Sequence, residues 1–188
     1  MNIANLLTDF YLKNGIPDNG GSDDTTFKIK ILGLKLELPN PKFRREATYI
    51  HDIHHVLNNC DTSWKGEGFI SGWEVATGIW KYFPVGLLSL WAMGYSLWLY
   101  PIAVFNGFKK GKNNTGVINL GLAKAELMKM EMTELIRLTS KQKDKLKKNQ
   151  GKKSKKFLQL AEFLGWSLIT QLILFFPLII VVLGILFA

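Results

Sequence analysis

Two long stretches without a single charged residue constrain this chain more than anything else in it: residues 83–105, 23 residues, and residues 163–188, 26 residues. A run of about 20 apolar residues is what a helix needs to cross the hydrocarbon of a bilayer. The C-terminal run, "FLGWSLITQLILFFPLIIVVLGILFA", predicts one tilted transmembrane helix, which Pro177 bends without ending. The earlier run is punctuated by Pro84, Gly86, Gly94 and Pro101, and it suits a second crossing or a buried, re-entrant helical hairpin equally well. With 188 residues and 47% apolar composition, a simple soluble globule is a poor description.

The charge of +9 is just as uneven. Residues 1–82 carry 9 basic and 10 acidic side chains, whereas residues 106–162 carry 15 and 5. The run "KQKDKLKKNQGKKSKK" at 141–156 directly precedes the apolar tail, where lysines pair with anionic headgroups and mark the cytoplasmic side. No zinc-finger spacing or RNA-binding aromatic motif occurs, so nucleic acid is not an expected partner. Cys60 is the one cysteine, which rules out an intrachain disulfide. The N-terminus lacks the layout of a signal peptide and reads as a short amphipathic helix.

Between these features the period of the sequence changes twice. Residues 15–26 are turn chemistry. "FKIKILGLKLEL" (27–38) alternates apolar and charged positions around Gly33, which predicts a strand pair or one bent strand, stopped by "PNP" at 39–41. From Lys42, Phe43, Ala47, Ile50, Ile53 and Leu57 recur at helical spacing. A second helix is expected from Glu67, and "NTGVINLGLAKAELMKMEMTELIRL" (114–138) reads as one amphipathic helix. The expected fold is therefore mainly α, a membrane-associated helical domain over 1–139 with a short β-like segment. A lysine-rich linker at 140–156 and a transmembrane anchor at 157–188 follow.

All three histidines lie on the helix that starts at Lys42. His51 and His55 stand at i and i+4, the spacing by which a helix turns two imidazoles towards one metal. Asp52 shares their arc and supplies a third ligand or a carboxylate that orients an imidazole, while His54 points away. Glu67, leading the next helix, completes a set of four, and Glu74 stands near the same face to reinforce it. Arg44 and Arg45 could neutralise these carboxylates instead, Arg45 being the nearer candidate for the outer shell. Two histidines with carboxylates and no thiolate suit zinc or iron.

The pattern His51-Asp52, two residues, His55, eleven residues, Glu67 resembles the signature of the Coq-four family of coenzyme Q biosynthesis. Arg44 or Arg45 upstream and "VINLGLAKAELMKMEMTELI" downstream extend the resemblance over roughly residues 42–139. It implies a mainly helical fold and a divalent metal, commonly zinc, held by His51, Asp52, His55 and Glu67. It also implies a hydrophobic pocket for a polyprenyl tail, and work at the membrane on a polyprenylated benzoate ring. That work is oxidative removal of the ring carboxylate by a lyase, or a non-catalytic scaffold role that organises the quinone-biosynthesis enzymes. Trp91, Trp98 and Tyr100 are the expected lining of the lipid groove. Expected partners are membrane lipid, a prenylated quinone precursor, the quinone-biosynthesis enzymes and further copies of the chain, with the metal-binding domain on the cytoplasmic side. The β-like 27–38 segment, the lysine run and the anchor depart from the family pattern.

Overall fold

The computed structural model describes residues 1–31, 33–141 and 152–186. Helix dominates, at 70%. In chain order the elements are α1 (Ile3–Asn14), β1 (Thr26–Ile31), β2 (Leu34–Pro39), α2 (Lys42–Asn58), α3 (Trp64–Thr77), α4 (Val85–Leu99), α5 (Pro101–Gly111), α6 (Lys124–Lys129), α7 (Met132–Thr139) and α8 (Lys152–Leu186). Short 3-10 turns occupy Ile79–Lys81 and Val117–Leu120. They fall into two compact units, one of Met1–Asp61 with Val117–Leu138, the other of Thr62–Gly116 with Thr139–Ala188.

In the first unit α1 starts where the Asn2 side chain accepts a hydrogen bond from the Asn5 amide at 3.0 Å and ends at Gly15, whose φ of +64° closes the last turn. Its stripe Ile3, Leu7, Tyr11 is buried and packs with Ile53 of α2, Val117, Leu127 and Leu135 into one core. Burying a side chain the size of leucine contributes about 1.5–3 kcal/mol, so this stripe fixes α1 on α2 more firmly than helix propensity does. β1 and β2 form an antiparallel hairpin in the register Phe27↔Leu38 and Ile31↔Leu34, with Gly33 at φ +85° in the connection. The strand-pair reading of 27–38 is the one observed. Asn40 then ties the preceding loop down, donating to the carbonyls of Gly21 at 3.1 Å and Asp24 at 2.9 Å.

The single amphipathic helix expected over 114–138 is broken into a 3-10 turn, α6 and α7. Gly121 adopts φ +66°, and Met130 is extended so that its carbonyl accepts from the Ile3 amide at 2.9 Å. Leu127 and Leu135 still reach the core, with Leu122 and Met130 packed on it. Docking onto α1 thus replaces helical hydrogen bonds at the break, and the apolar period survives the loss of the helix.

The second unit is built on glycine. Gly68 and Gly72 of α3, and Gly107 and Gly111 of α5, are each separated by one helical turn. A Cβ at Gly107 would lie 1.9 Å from the Phe69 carbonyl oxygen, and one at Gly72 would lie 2.3 Å from that of Val104. Only helices without side chains at these positions approach so closely, the logic of small residues at four-residue spacing in helix pairs. Around this pair Val75, Leu90, Met93, Val104, Phe108 and Phe163 form the core.

The charge-free stretch 83–105 is two helices, not one: α4 has 15 residues and gives way at Tyr100, where Pro101 begins α5. α3 begins at Trp64, three residues before the expected start, because Ser63 caps it by accepting from the Gly66 amide at 3.3 Å. α8 also starts early, at Lys152, and runs on through Pro177. Its stretch Lys156–Pro177 is long and apolar enough to cross a membrane. Most of the lysine run lies outside the described residues.

Candidate metal centre

The helical rotation of α2 carries His51 and His55 to the same arc. Their Nε2 atoms stand 3.2 Å apart, with the rings 4.8 Å between centroids and 73° between planes. Two ligands about 2.05 Å from one ion at a tetrahedral angle lie about 3.3 Å apart, so the pair already has the bite of a chelate. His55 is buried, with the Phe10 ring 5.6 Å from its own, and His51 is half-buried.

Asp52 is buried beside them, and its Oδ2 accepts a hydrogen bond from the Tyr11 hydroxyl at 2.9 Å. The loop backbone closes over this contact: a Cβ at Gly20 would fall 2.8 Å from the Tyr11 oxygen and 2.9 Å from Asp52 Oδ2. Burial, then the Asp52 charge, then the hydrogen bond to it push the Tyr11 phenol far above its ordinary range, so Tyr11 keeps its proton. No apolar-period argument identified Tyr11 as a partner of the site. Its place in the stripe Ile3, Leu7, Tyr11 announced burial, and a buried phenol needs an acceptor.

Glu67 sits half-buried in the first turn of α3, where the positive end of the helix favours a carboxylate. His51, His55 and Glu67 make a group that could hold a metal ion. Asp52 is not in that group. His54 is buried on another arc of α2, where its carbonyl accepts from Asn58 at 2.9 Å.

The residues expected around the ligands have other neighbours as well. Glu74 is buried and accepts from the Ser89 hydroxyl at 2.6 Å. Arg44 donates to Asn40 Oδ1 at 3.0 Å and lays its guanidinium 3.9 Å from the centre of the Phe27 ring. Arg45 lines an open surface hollow of about 450 Å3 with Ser22, Asp23, Lys42, Glu46 and Lys124.

Of the expected groove residues, Trp91 is half-buried and stacks on Tyr95 at 6.0 Å with 3° between planes. Trp98 and Tyr100 are exposed, and Trp98 Nε1 donates to Gln171 Oε1 at 2.8 Å. A separate apolar hollow of about 440 Å3 is lined by Leu97, Leu164, Ser167, Leu168 and Gln171. One amide inside a charge-free run was the sequence signal for it, since such a group needs a partner inside the protein.

No family model matches the chain, and no curated protein or solved structure does either. The chemistry of the site therefore rests on its own residues.

Proposed function

We propose that the chain is a membrane-anchored metal protein of polyprenyl quinone biosynthesis, acting on the ring of a prenylated hydroxybenzoate. The observation that carries this reading is the 3.2 Å separation of the His51 and His55 Nε2 atoms, with the Glu67 carboxylate in the same group. Two imidazoles and one carboxylate suit zinc or iron and leave a coordination position for a substrate oxygen, which favours an enzyme over a brace between helices. A divalent ion bound there would act as a Lewis acid towards adjacent ring oxygens. Asp52, held by Tyr11, gives α2 a fixed negative charge one residue from His51, which favours a cation at the pair. The reaction in keeping with the resemblance is oxidative loss of the ring carboxylate, and the prenyl tail accounts for a membrane location with the lysines on the cytoplasmic side.

Elemental analysis of purified protein, paired with mass spectrometry of its extracted lipid, tests both halves. Wild type should carry about one equivalent of zinc or iron and a prenylated aromatic. His51→Ala with His55→Ala should lose the metal, and His54→Ala should keep it. Equal, negligible metal in wild type and the double variant would overturn the site, and the absence of any prenylated aromatic would overturn the substrate.

A further inference from the structure

From Tyr82 to Phe108 no residue is charged, and the run is bounded by Lys81 on one side and by Lys109, Lys110 and Lys112 on the other. α8 measures where its parts lie. Just before the charge-free part of α8, Glu162 pairs with Lys112 at 2.7 Å and Gln159 reaches the Lys109 carbonyl at 3.5 Å. Next to it, Phe163 meets Phe105 and Phe108 at 5.0 and 5.4 Å between centroids, and one turn on Trp166 meets Trp80 at 5.2 Å. Deeper along α8, Gln171 donates to the Gly94 carbonyl at 2.9 Å, and Phe175 lies 6.3 Å from Trp98. α4 therefore runs along α8 in the same direction, and α5 comes back. Lys81 and the lysines of α5 end at one level, and the corner at Trp98, Leu99, Tyr100 and Ile102 lies at the other.

The corner is apolar and open, Ile102 being 75% exposed, and part of its backbone is bonded within the protein. The Tyr100 amide donates to Ser96 at 2.7 Å, its carbonyl accepts from Val104 at 3.1 Å, and Pro101 has no N–H to satisfy. The polar side chains of α8 near it are bonded within the protein, whereas the buried Ser96 hydroxyl of α4 has no partner among the described residues. Ser167 donates to the Phe163 carbonyl at 2.8 Å, Thr170 to that of Ser167 at 2.9 Å, and Gln171 bonds both Gly94 and Trp98. Internal bonding of this kind lowers the cost of placing a polar group in hydrocarbon. Twelve residues of α8 separate the levels of Phe163 and Phe175, about 18 Å of helix, against a hydrocarbon thickness of about 30 Å. Counted from Phe163, where the charge-free run begins, the contact of Trp98 with Phe175 lies past the middle of such a layer and short of its far side.

We infer that α4 and α5 form a re-entrant hairpin that enters the bilayer beside α8 and returns to the face it entered from. Its occupants are acyl chains around the corner and anionic headgroups at Lys81, Lys109 and Lys110. This rests on the membrane anchoring proposed for α8 and adds that the chain before α4 and after α5 stays on one side.

Thiol labelling of the full chain tests it, in sealed cell-derived vesicles of one orientation and with Cys60→Ser as background. Single cysteines are placed at exposed positions: Lys81→Cys, Lys110→Cys, Ile102→Cys and Leu172→Cys. A membrane-impermeant maleimide should label Lys81→Cys and Lys110→Cys from the same face to within twofold, and the other two only after detergent. Labelling of Lys81→Cys and Lys110→Cys from opposite faces would overturn the hairpin in favour of a crossing. Labelling of Ile102→Cys without detergent while Leu172→Cys stays protected would overturn it in favour of a surface-bound corner. If Leu172→Cys also labels in intact vesicles, the α8 anchor has failed, and the hairpin with it, while the metal site is judged separately by elemental analysis.

Discussion

α2 and α8 are opposites in what they hide. α2 buries Asp52, His54 and His55, whereas α8 exposes Leu164, Leu168, Leu172 and Phe176 in a stripe at four-residue spacing. A buried charge or imidazole is tolerated only with a partner inside the protein, and an exposed leucine stripe marks an interaction surface. α2 therefore keeps polar groups inside, and α8 presents apolar ones outside. Hydropathy alone would rank α8 as the better core helix, although only 11% of its apolar window is buried.

The largest effect should come from giving the α8 stripe a charge. Leu168→Lys with Leu172→Lys would place two ammonium groups in hydrocarbon, at about 2.5–3.5 kcal/mol each near the centre of a span. The variant should leave the membrane fraction on alkaline extraction while wild type stays. At a water-facing surface the same changes would cost less than about 0.5 kcal/mol each, so unchanged fractionation would break the contrast between the helices.

A smaller effect is expected on α2. Tyr11→Phe removes a donor from the buried Asp52 carboxylate and should lower stability by about 1–3 kcal/mol, read as a shift in thermal midpoint. The pH dependence has a definite sign. The folded Tyr11 phenol is raised above its ordinary value near 10, so its contribution is complete below about pH 10. Above that the unfolded chain releases a proton that the fold retains, and stability falls by about 1.4 kcal/mol per unit. Tyr11→Phe should lack this component of the decline between pH 10 and 11. Equal alkaline slopes in the two proteins would show that Tyr11 is not the group being held.

The smallest effect sharpens the role of Glu67. Ser63→Ala removes the cap one turn before it and should cost about 1 kcal/mol. Metal content measured alongside should stay near that of wild type. Loss of metal with little loss of stability would assign the cap to positioning the ligand instead of holding the helix.

Much of this was legible because periodicity reports burial. The three-to-four repeat around His51 and His55, the alternation around Gly33 and the uncharged tail each named their element, and i,i+4 spacing brought the two histidines together. Other parts were not legible, for separate physical reasons. The apolar repeat of 114–138 continues through Gly121 and Met130, so counting apolar residues could not see a backbone that turns there to dock on α1. α3 and α5 are joined by Gly68, Gly72, Gly107 and Gly111, residues that a hydrophobic pattern treats as blanks. Tyr11 lies 41 positions from Asp52, and no local pattern reports such a contact.

The glycine contact has a mechanical side. Where side chains separate two helices, rotamer changes let one slide past the other, and that compliance absorbs small displacements. Between Gly107 and Phe69 the two main chains touch directly, so any tilt of α5 is handed to α3 without slack. Glu67 stands on α3 two residues before Phe69, and the same α5 leads back to the corner at Ile102. A displacement at that corner would thus reach the helix that carries Glu67 through a rod and not a cushion.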